Sequence, residues 1–338
     1  MIVDGHEDLA FNTLAHGRDY LSSALAIREA EEGSPVVDLN GLCMLGLPEW
    51  LAARVAVILA TVLTIPRSHA ESGELSYVNE EGAYRQGVAQ LDLYRHWEEE
   101  CEQLRVVRDG SQLAPAEGTV GLVLLMENAD PIRSPDELGF WVDQGLRVIG
   151  PAWHSNRYTG DTRAGGGLTD LGRSLLAEMD SLGVVLDLTH MSDEASFEAL
   201  EQFDGSVVAT HANSRRTVDR PRLLSDRAIE AIAEREGVVG ILPANWALVP
   251  DWKRADGKDA VTLSAVVDAI ETVCEVAGDV RHVGIGTDFD GGQGAESAPA
   301  ELDTIADLPK LADALAARGY SDEDVAGIMG GNWLRVLR

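Results

Sequence analysis

Val185-Leu186-Asp187-Leu188-Thr189-His190 and Val208-Ala209-Thr210-His211 are two apolar runs that each finish on a Thr-His pair. Both are short and rich in Val and Leu, the composition of parallel strands covered on both faces. The stretch between them, Asp193–Glu201, carries a helical pattern. The unit therefore reads as strand, helix, strand, and that reading decides the fold. Neighbouring parallel strands lie about 5 Å apart, so imidazoles at the ends of two such strands can converge on one ion. A lone His at a strand end is more often structural; two consecutive Thr-His endings are harder to dismiss.

The same alternation extends to both ends of the chain. Strands are expected at Ile2–His6, Arg54–Leu63, Thr119–Glu127, Leu146–Trp153, Gly183–Thr189, Ser206–His211, Val238–Pro243 and His282–Asp288. Helical patterns occupy Glu80–Leu104, Ser134–Gln144, Asp170–Leu182, Asp193–Glu201, Ser225–Arg235, Leu263–Ala277 and Ile305–Ala316. Ser225 and Asp226 read as N-terminal capping residues. Gly183 and Gly237 sit where a helix hands over to a strand. This alternation is that of an α/β protein with a (β/α)8 fold, the TIM barrel, in one domain spanning residues 1–338. A doubly wound sheet would concentrate its chemistry at one switch point; here reactive residues close at least six strands. The chain has no GxGxxG before a first helix and no GxxxxGK[ST]. Gly165-Gly166-Gly167 lacks a phosphate-binding partner and reads as a flexible loop. The long connections, 17–50 and 64–80, are the expected insertions, placed to cover the site or make a subunit contact.

Composition narrows the class. The 338 residues are 45% apolar, enough for a large core, and no apolar stretch is long enough to span a membrane. No signal peptide is expected, because a metal-type motif begins at residue 4. Cys43, Cys101 and Cys274 are widely spaced and form no CxxC, so a disulfide framework is not expected and a cytoplasmic location is. The net charge of −30 argues against nucleic acid and anionic membranes as partners.

The chemistry begins at Asp4-Gly5-His6-Glu7-Asp8. On an extended chain His6 and Asp8 share a face, and an imidazole with a carboxylate suits zinc or a similar divalent ion. Glu127 follows Leu124-Leu125-Met126 at a strand end and reads either as a loop carboxylate or as a bridge between two metals. Asp288 closes Gly284-Ile285-Gly286-Thr287-Asp288 and is the better general base; Asp290 is assigned to turn formation. His154, in Trp153-His154-Ser155, lies too far beyond its strand to read as a ligand by spacing, and reads either as a structural residue or as a hydrogen-bond donor to a substrate carbonyl or an oxyanion. Arg215, Arg216, Arg220 and Arg222 crowd the loop after His211, either as a solvated loop or as a carboxylate site, and spacing does not choose among them. His16, His69, His96 and His282 lack a motif and are read as structural or surface residues. The set composes a two-metal site: His6 and Asp8 on one ion, His190 and His211 on the other, Glu127 between. Two ions about 3.5–4 Å apart would activate a water for hydrolysis of an amide or a related bond, with Asp288 as base and then acid.

With these pieces in place the chain resembles the membrane dipeptidases, also called renal dipeptidases, of the amidohydrolase superfamily. The resemblance runs nearly end to end, through Asp4–Asp8, Met126-Glu127, Gly167-Leu168-Thr169, Leu171-Gly172-Arg173, Leu186–His190, Thr210–Arg215, Arg220-Pro221-Arg222, Gly284–Gly291 and Gly330–Arg335. It implies a (β/α)8 barrel with two zinc ions, or other divalent ions in their place, and hydrolysis of dipeptides, often with a D-residue on the C-terminal side. By motif position it assigns His6 and Asp8 to the first zinc, Glu127 to the bridge, and His190 and His211 to the second. It makes Asp288 the catalytic Asp, His154 a substrate contact that steadies the transition state, and Arg222 the binder of the substrate's terminal carboxylate. Many members dimerise, so a homodimer is expected. Three departures stand out. Glu127-Asn128-Ala129-Asp130 replaces the common Glu-Gly-Gly, which is expected to narrow or repolarise the pocket. The segment Ile241–Trp246 also differs, and no apolar tail follows Leu334 to match the anchor of the animal enzymes. The alternatives are an amidohydrolase of N-acyl amino acids or of a cyclic amide or lactone, and a non-catalytic metal-bound scaffold.

Overall fold

A computed structural model of the chain describes residues 1–70, 75–114 and 117–338. At its centre lie eight parallel strands: β1 (Ile2–Glu7), β2 (Val55–Leu63), β3 (Val120–Glu127), β4 (Leu146–Gly150), β5 (Val185–Asp187), β6 (Val207–Val208), β7 (Val239–Ile241) and β8 (Val283–Ile285). Neighbours in sequence pair from β1 through β6, β7 pairs with β8, and β8 returns to β1. The last seam closes through one bridge, Ala209 opposite Val239, where Gly240 N–H donates to Ala209 O at 2.8 Å. The expected TIM barrel is therefore the architecture found.

The side-chain period of two explains how the barrel makes a site. Val57 and Leu59 of β2 and Val123 and Leu125 of β3 fill the interior, with Val148, Val185 and Val208. The alternate residues, Ile58, Ala60, Leu122, Leu124 and Met126, pack outward under the helices. Two residues beyond Leu59 and Leu125 the inward positions are Thr61 and Glu127. The alternation that buries the apolar layers thus aims polar groups into the C-terminal mouth. The opposite end is plugged by Trp333, on the final helix Asn332–Val336. Its indole is fully buried and donates to Ile285 O at 2.9 Å. A Cβ on Gly5 would come within 2.6 Å of that ring, so glycine there leaves room for the indole.

Several boundaries differ from expectation. The strand read as Leu146–Trp153 stops at Gly150, where Pro151 follows and has no N–H to donate. The helix read as Glu80–Leu104 ends at Glu100, and Leu104–Val106 instead forms a short strand beside Val120–Leu122. The glycine run read as a flexible loop is one arm of an antiparallel hairpin, Thr159–Asp161 with Gly165–Leu168. Ser225 does cap its helix, accepting from Ala228 N–H, while Asp226 is the first helical residue. At the end of that helix Glu236, not Gly237, takes the left-handed turn (φ 56°). Gly237 is needed for a different reason, since a Cβ there would run into the Val207 carbonyl.

The connection 17–50 holds three short helices, Ala24–Ala30, Val36–Asn40 and Leu47–Ala53. Residues 71–74 of the connection 64–80 lie outside the described residues; its described part brings Pro66 beside Tyr77. Among the described residues no helix is long and apolar enough to cross a membrane.

Candidate active site

The strand ends of β1, β3, β5 and β6 bring five expected ligands together. His6 Nε2 lies 3.6 Å from Asp8 Oδ1 and 3.5 Å from Glu127 Oε2. On the other side of Glu127, its Oε1 is 3.0 Å from His190 Nε2 and 3.6 Å from His211 Nε2. The two imidazole nitrogens are 3.2 Å apart. His6, Asp8 and Glu127 offer donor atoms within 4.8 Å of one another, and so do Glu127, His190 and His211. A third group of the same size joins His6, His211 and Asp288. His6 Nε2 and Glu127 Oε1 are buried without a hydrogen-bond partner, a costly state for polar atoms. Cations between these facing donors would resolve it, and nitrogen with carboxylate donors suits zinc.

The imidazoles are oriented by residues to which the sequence assigned no role. Thr210 Oγ1 donates to Asp187 Oδ2 at 2.5 Å and lies 3.3 Å from His6 Nδ1 and 3.0 Å from His211 Nδ1. A hydroxyl has one proton and two lone pairs. With its proton on Asp187, Thr210 accepts from both rings. Each ring then carries its hydrogen on Nδ1 and turns a bare Nε2 toward the mouth, the form that binds metal. Asp187 also accepts from the backbone N–H of Thr189 and of Thr210, both at 2.9 Å. Its signal was available: a carboxylate inside the apolar run Leu186-Asp187-Leu188. Asp4 acts similarly, accepting from Thr287 N–H at 2.8 Å and so tying the end of β1 to that of β8.

Electrostatics follow from crowding in a buried place. Burial works against the charge of Glu127, yet His6 and His190 hold its carboxyl below the usual range. Burial also opposes a charged His6, but Glu127 and Asp8 prevail and raise its proton affinity well above normal. Burial, then Arg222, lowers His190; burial, then His6, lowers His211 well below the usual value. Neutral imidazoles are what a metal requires, a condition that the lowered His190 and His211 meet and that His6 meets once a cation displaces its proton. Asp288 is pushed well up, by burial above all, with Asp8 and Glu127 adding and His6 and Arg222 opposing. Its N–H donates to His6 O at 3.1 Å, and its φ of 51° turns the chain sharply at the end of β8.

A cavity of 490 Å³ opens onto the cluster, lined by Asp8, Glu127, His190, His211, Arg222 and Asp288 together with Trp153, Arg163 and Trp246. Of the four candidate arginines, Arg215 pairs with Asp193, Arg216 with Asp226, and Arg220 sits over the Trp246 ring. Arg222 alone of the four lines the cavity; its Nη2 donates to His211 O at 3.2 Å and its buried Nη1 has no partner. His154 is not among the lining residues. Its Nδ1 is 3.1 Å from Asp161 Oδ2, its Nε2 meets the Arg163 guanidinium, and its ring stacks on His69 at 3.6 Å. Burial, then Arg163 and His69, lower its pKa to about 4, so it is neutral at physiological pH. Arg163 therefore stands between His154 and the cavity, and no spacing in the sequence marked it out.

Asp290, read as a turn former, does more. It is buried, 3.1 Å from Arg18 Nη1, and accepts from Met44 N–H at 2.8 Å and Tyr20 O–H at 3.0 Å. The loop that carries Asp288 is thereby fastened to the connection 17–50.

Against the expectation of a narrowed or repolarised pocket, none of Asn128, Ala129 and Asp130 is a lining residue of the cavity, and the two polar side chains are engaged elsewhere. Asn128 adopts φ 76°, which Asn tolerates better than most residues. Its Nδ2 donates to Thr64 O at 2.7 Å and its Oδ1 accepts from Asn156 at 2.9 Å. Asp130 accepts from the Tyr77 hydroxyl and lies 3.4 Å from Arg157 Nε. The departure is a polar staple that ties the connection 64–80 to the ends of β3 and β4.

Comparison with known proteins places this geometry. A protein of Klebsiella pneumoniae, named only as an uncharacterized protein in the pqqA 5′ region, is 35% identical over 205 residues, 57% of this chain and 72% of that protein. Dipeptidase aclJ of Aspergillus oryzae is 33% identical over 172 residues, 51% of this chain and 39% of that protein, so the match spans well under half of the fungal relative. Among solved structures, dipeptidase AC, a metallopeptidase of family M19, superposes with a TM-score of 0.82 at 25% identity, covering 99% of this chain and 97% of that one. The family model for membrane dipeptidase, peptidase family M19, matches residues 1–338. Barrel, ligand cluster and this full-length match agree: the chain belongs to the membrane dipeptidase family of metallopeptidases.

Proposed function

We propose that this protein is a binuclear zinc dipeptidase, with other divalent ions able to take the place of zinc. The observation that carries the reading is that Glu127 belongs to two donor groups at once, with His6 and Asp8 on one side and His190 and His211 on the other. His6, Asp8, Glu127, His190 and His211 would hold two ions, which would supply a water nucleophilic at neutral pH and polarisation of the scissile carbonyl. The chain's own residues do the rest. Arg222 presents its partnerless Nη1 to the substrate's terminal carboxylate. Asp288, grouped with His6 and His211, takes the proton of the attacking water and returns it to the leaving amine. His154 anchors Arg163 at the substrate side and bears on the transition state only through that arginine. The names of the Aspergillus relative and of the superposed structure support dipeptides as substrates.

The test is amine release by zinc-loaded protein from L-L, L-D and N-acylated dipeptides. Turnover of free dipeptides is expected, abolished by chelation and by Asp288→Asn. Arg222→Ala should raise KM by about tenfold or more, the scale of one charge-assisted hydrogen bond. Activity untouched by chelators would reject the metal mechanism; turnover of N-acyl compounds alone would move the substrate. A cytoplasmic homodimer belongs to the same proposal, and light scattering and cell fractionation test it.

A further inference from the structure

The charged side chains that line the cavity are unequally occupied. Of its acids, Asp8, Glu127 and Asp288 belong to the ligand and proton-transfer cluster. Glu296 is engaged twice, by Arg254 at 3.0 Å and by Leu42 N–H at 3.0 Å. Of its arginines, Arg254 is neutralised by Glu296, but neither Arg222 nor Arg163 pairs with a carboxylate among the described residues. Arg222 is committed to the terminal carboxylate that every dipeptide carries. Arg163 remains. Its guanidinium touches only groups without negative charge: the His154 ring and the face of Trp153, 5.6 Å from the centroid. A histidine carries no negative charge in either protonation state, so His154 does not balance that charge. Arg163 sits between the two arms of the Thr159–Leu168 hairpin, where Asp161 Oδ1 accepts from the N–H groups of Arg163 and Ala164 and fixes the turn. In a chain of net charge −30, an arginine held at the cavity without an acid is a binding element in want of an anion.

We infer that Arg163 is a specificity-determining residue that receives a second carboxylate, so that the preferred substrates are dipeptides with an acidic side chain, aspartyl or glutamyl. This rests on the dipeptidase reading and narrows it. A bidentate guanidinium–carboxylate contact distinguishes Glu from Gln, which has the same shape and no charge.

The experiment separates the two readings. Calorimetric binding to the chelated protein, which does not hydrolyse its ligand, compares Ala-Glu with Ala-Gln and Glu-Ala with Gln-Ala. The same pairs are then turned over by the zinc-loaded protein. At one of the two positions the acid should be favoured over the amide by about tenfold or more, in affinity and in kcat/KM. In Arg163→Met that ratio should collapse toward one, and in Arg163→Lys it should partly survive. The ratio is the readout, so a uniform loss of rate through His154 does not imitate it. Equal handling of acid and amide by the wild-type protein overturns the inference without any variant, and so does a ratio unchanged in Arg163→Met. Either result with dipeptides still hydrolysed leaves the dipeptidase reading standing; no hydrolysis of any dipeptide removes both.

Discussion

Thr210 shows how much of this site depends on one hydroxyl. It accepts from both His6 and His211 and donates its own hydrogen bond to Asp187. Thr210→Val keeps the shape and removes the hydrogen bonds, leaving both rings free to present either tautomer. Loss of such an outer partner typically weakens metal binding by about 10–100-fold. Competition for zinc against a chromophoric chelator should show this weakening, and urea unfolding of the metal-free protein should separately show a cost of about 1–3 kcal/mol for the partners left stranded. An unchanged zinc affinity would mean that the tautomers are set elsewhere. His6, His190 and His211 could be picked out in the sequence because each ends an apolar run. Thr210 and Asp187 could not be given roles, because a hydroxyl becomes a tautomer lock only when two rings from different strands reach it.

At the scale of elements, the joints between strands and connections carry the specificity of the mouth. Asn128 is the clearest. It holds a left-handed backbone angle and hydrogen bonds to Thr64, Tyr77 and Asn156 at the point where β3 leaves the barrel. Asn128→Ala should cost about 1–2 kcal/mol for the backbone angle and about 1–3 kcal/mol for stranded partners. Asn128→Gly removes only the second part, so denaturant unfolding should rank it between wild type and Ala. Equal effects of the two substitutions would show that the angle is not strained. Strand positions were readable to within a few residues from apolar runs alone, and the helices Asp170–Leu182 and Leu263–Ala277 were read at their observed limits. The hairpin at Thr159–Leu168 was not, since Gly165-Gly166-Gly167 has no propensity of its own and pairs only because the opposite arm lies against it.

For the molecule as a whole, two buried contacts between distant parts of the chain close the barrel and mount its mouth. Trp333 fills the barrel's N-terminal end, so Trp333→Ala should destabilise by about 3–5 kcal/mol, measured by urea unfolding. A loss below about 1 kcal/mol, the level of many surface changes, would argue that the indole is not a plug. Arg18 is buried between Glu31 at 2.8 Å and Asp290 at 3.1 Å. Arg18→Met strands two buried carboxylates, a change that costs about 3–5 kcal/mol in comparable pairs. Because Asp290 holds the loop of Asp288, kcat should fall along with stability, and a stable variant with reduced kcat would assign Arg18 to positioning. Wild-type kcat in a destabilised variant would assign it to folding alone.

The sequence by itself determined the barrel and the donors at its mouth. Period-two burial and the repeat of strand and helix are local properties; the period aims Glu127 into the mouth, whereas His190 reaches it through a left-handed backbone turn (φ 69°) beyond its strand. It also marked the arginines after His211 as a set. Tertiary structure alone decided which of them lines the cavity, that Arg163 rather than His154 stands at its edge, and that Asn128-Ala129-Asp130 braces a connection instead of shaping the pocket. Each of those outcomes depends on partners from a different strand or connection. Such contacts exist only after the ring of strands has closed, because closure brings together side chains that no spacing along the chain relates.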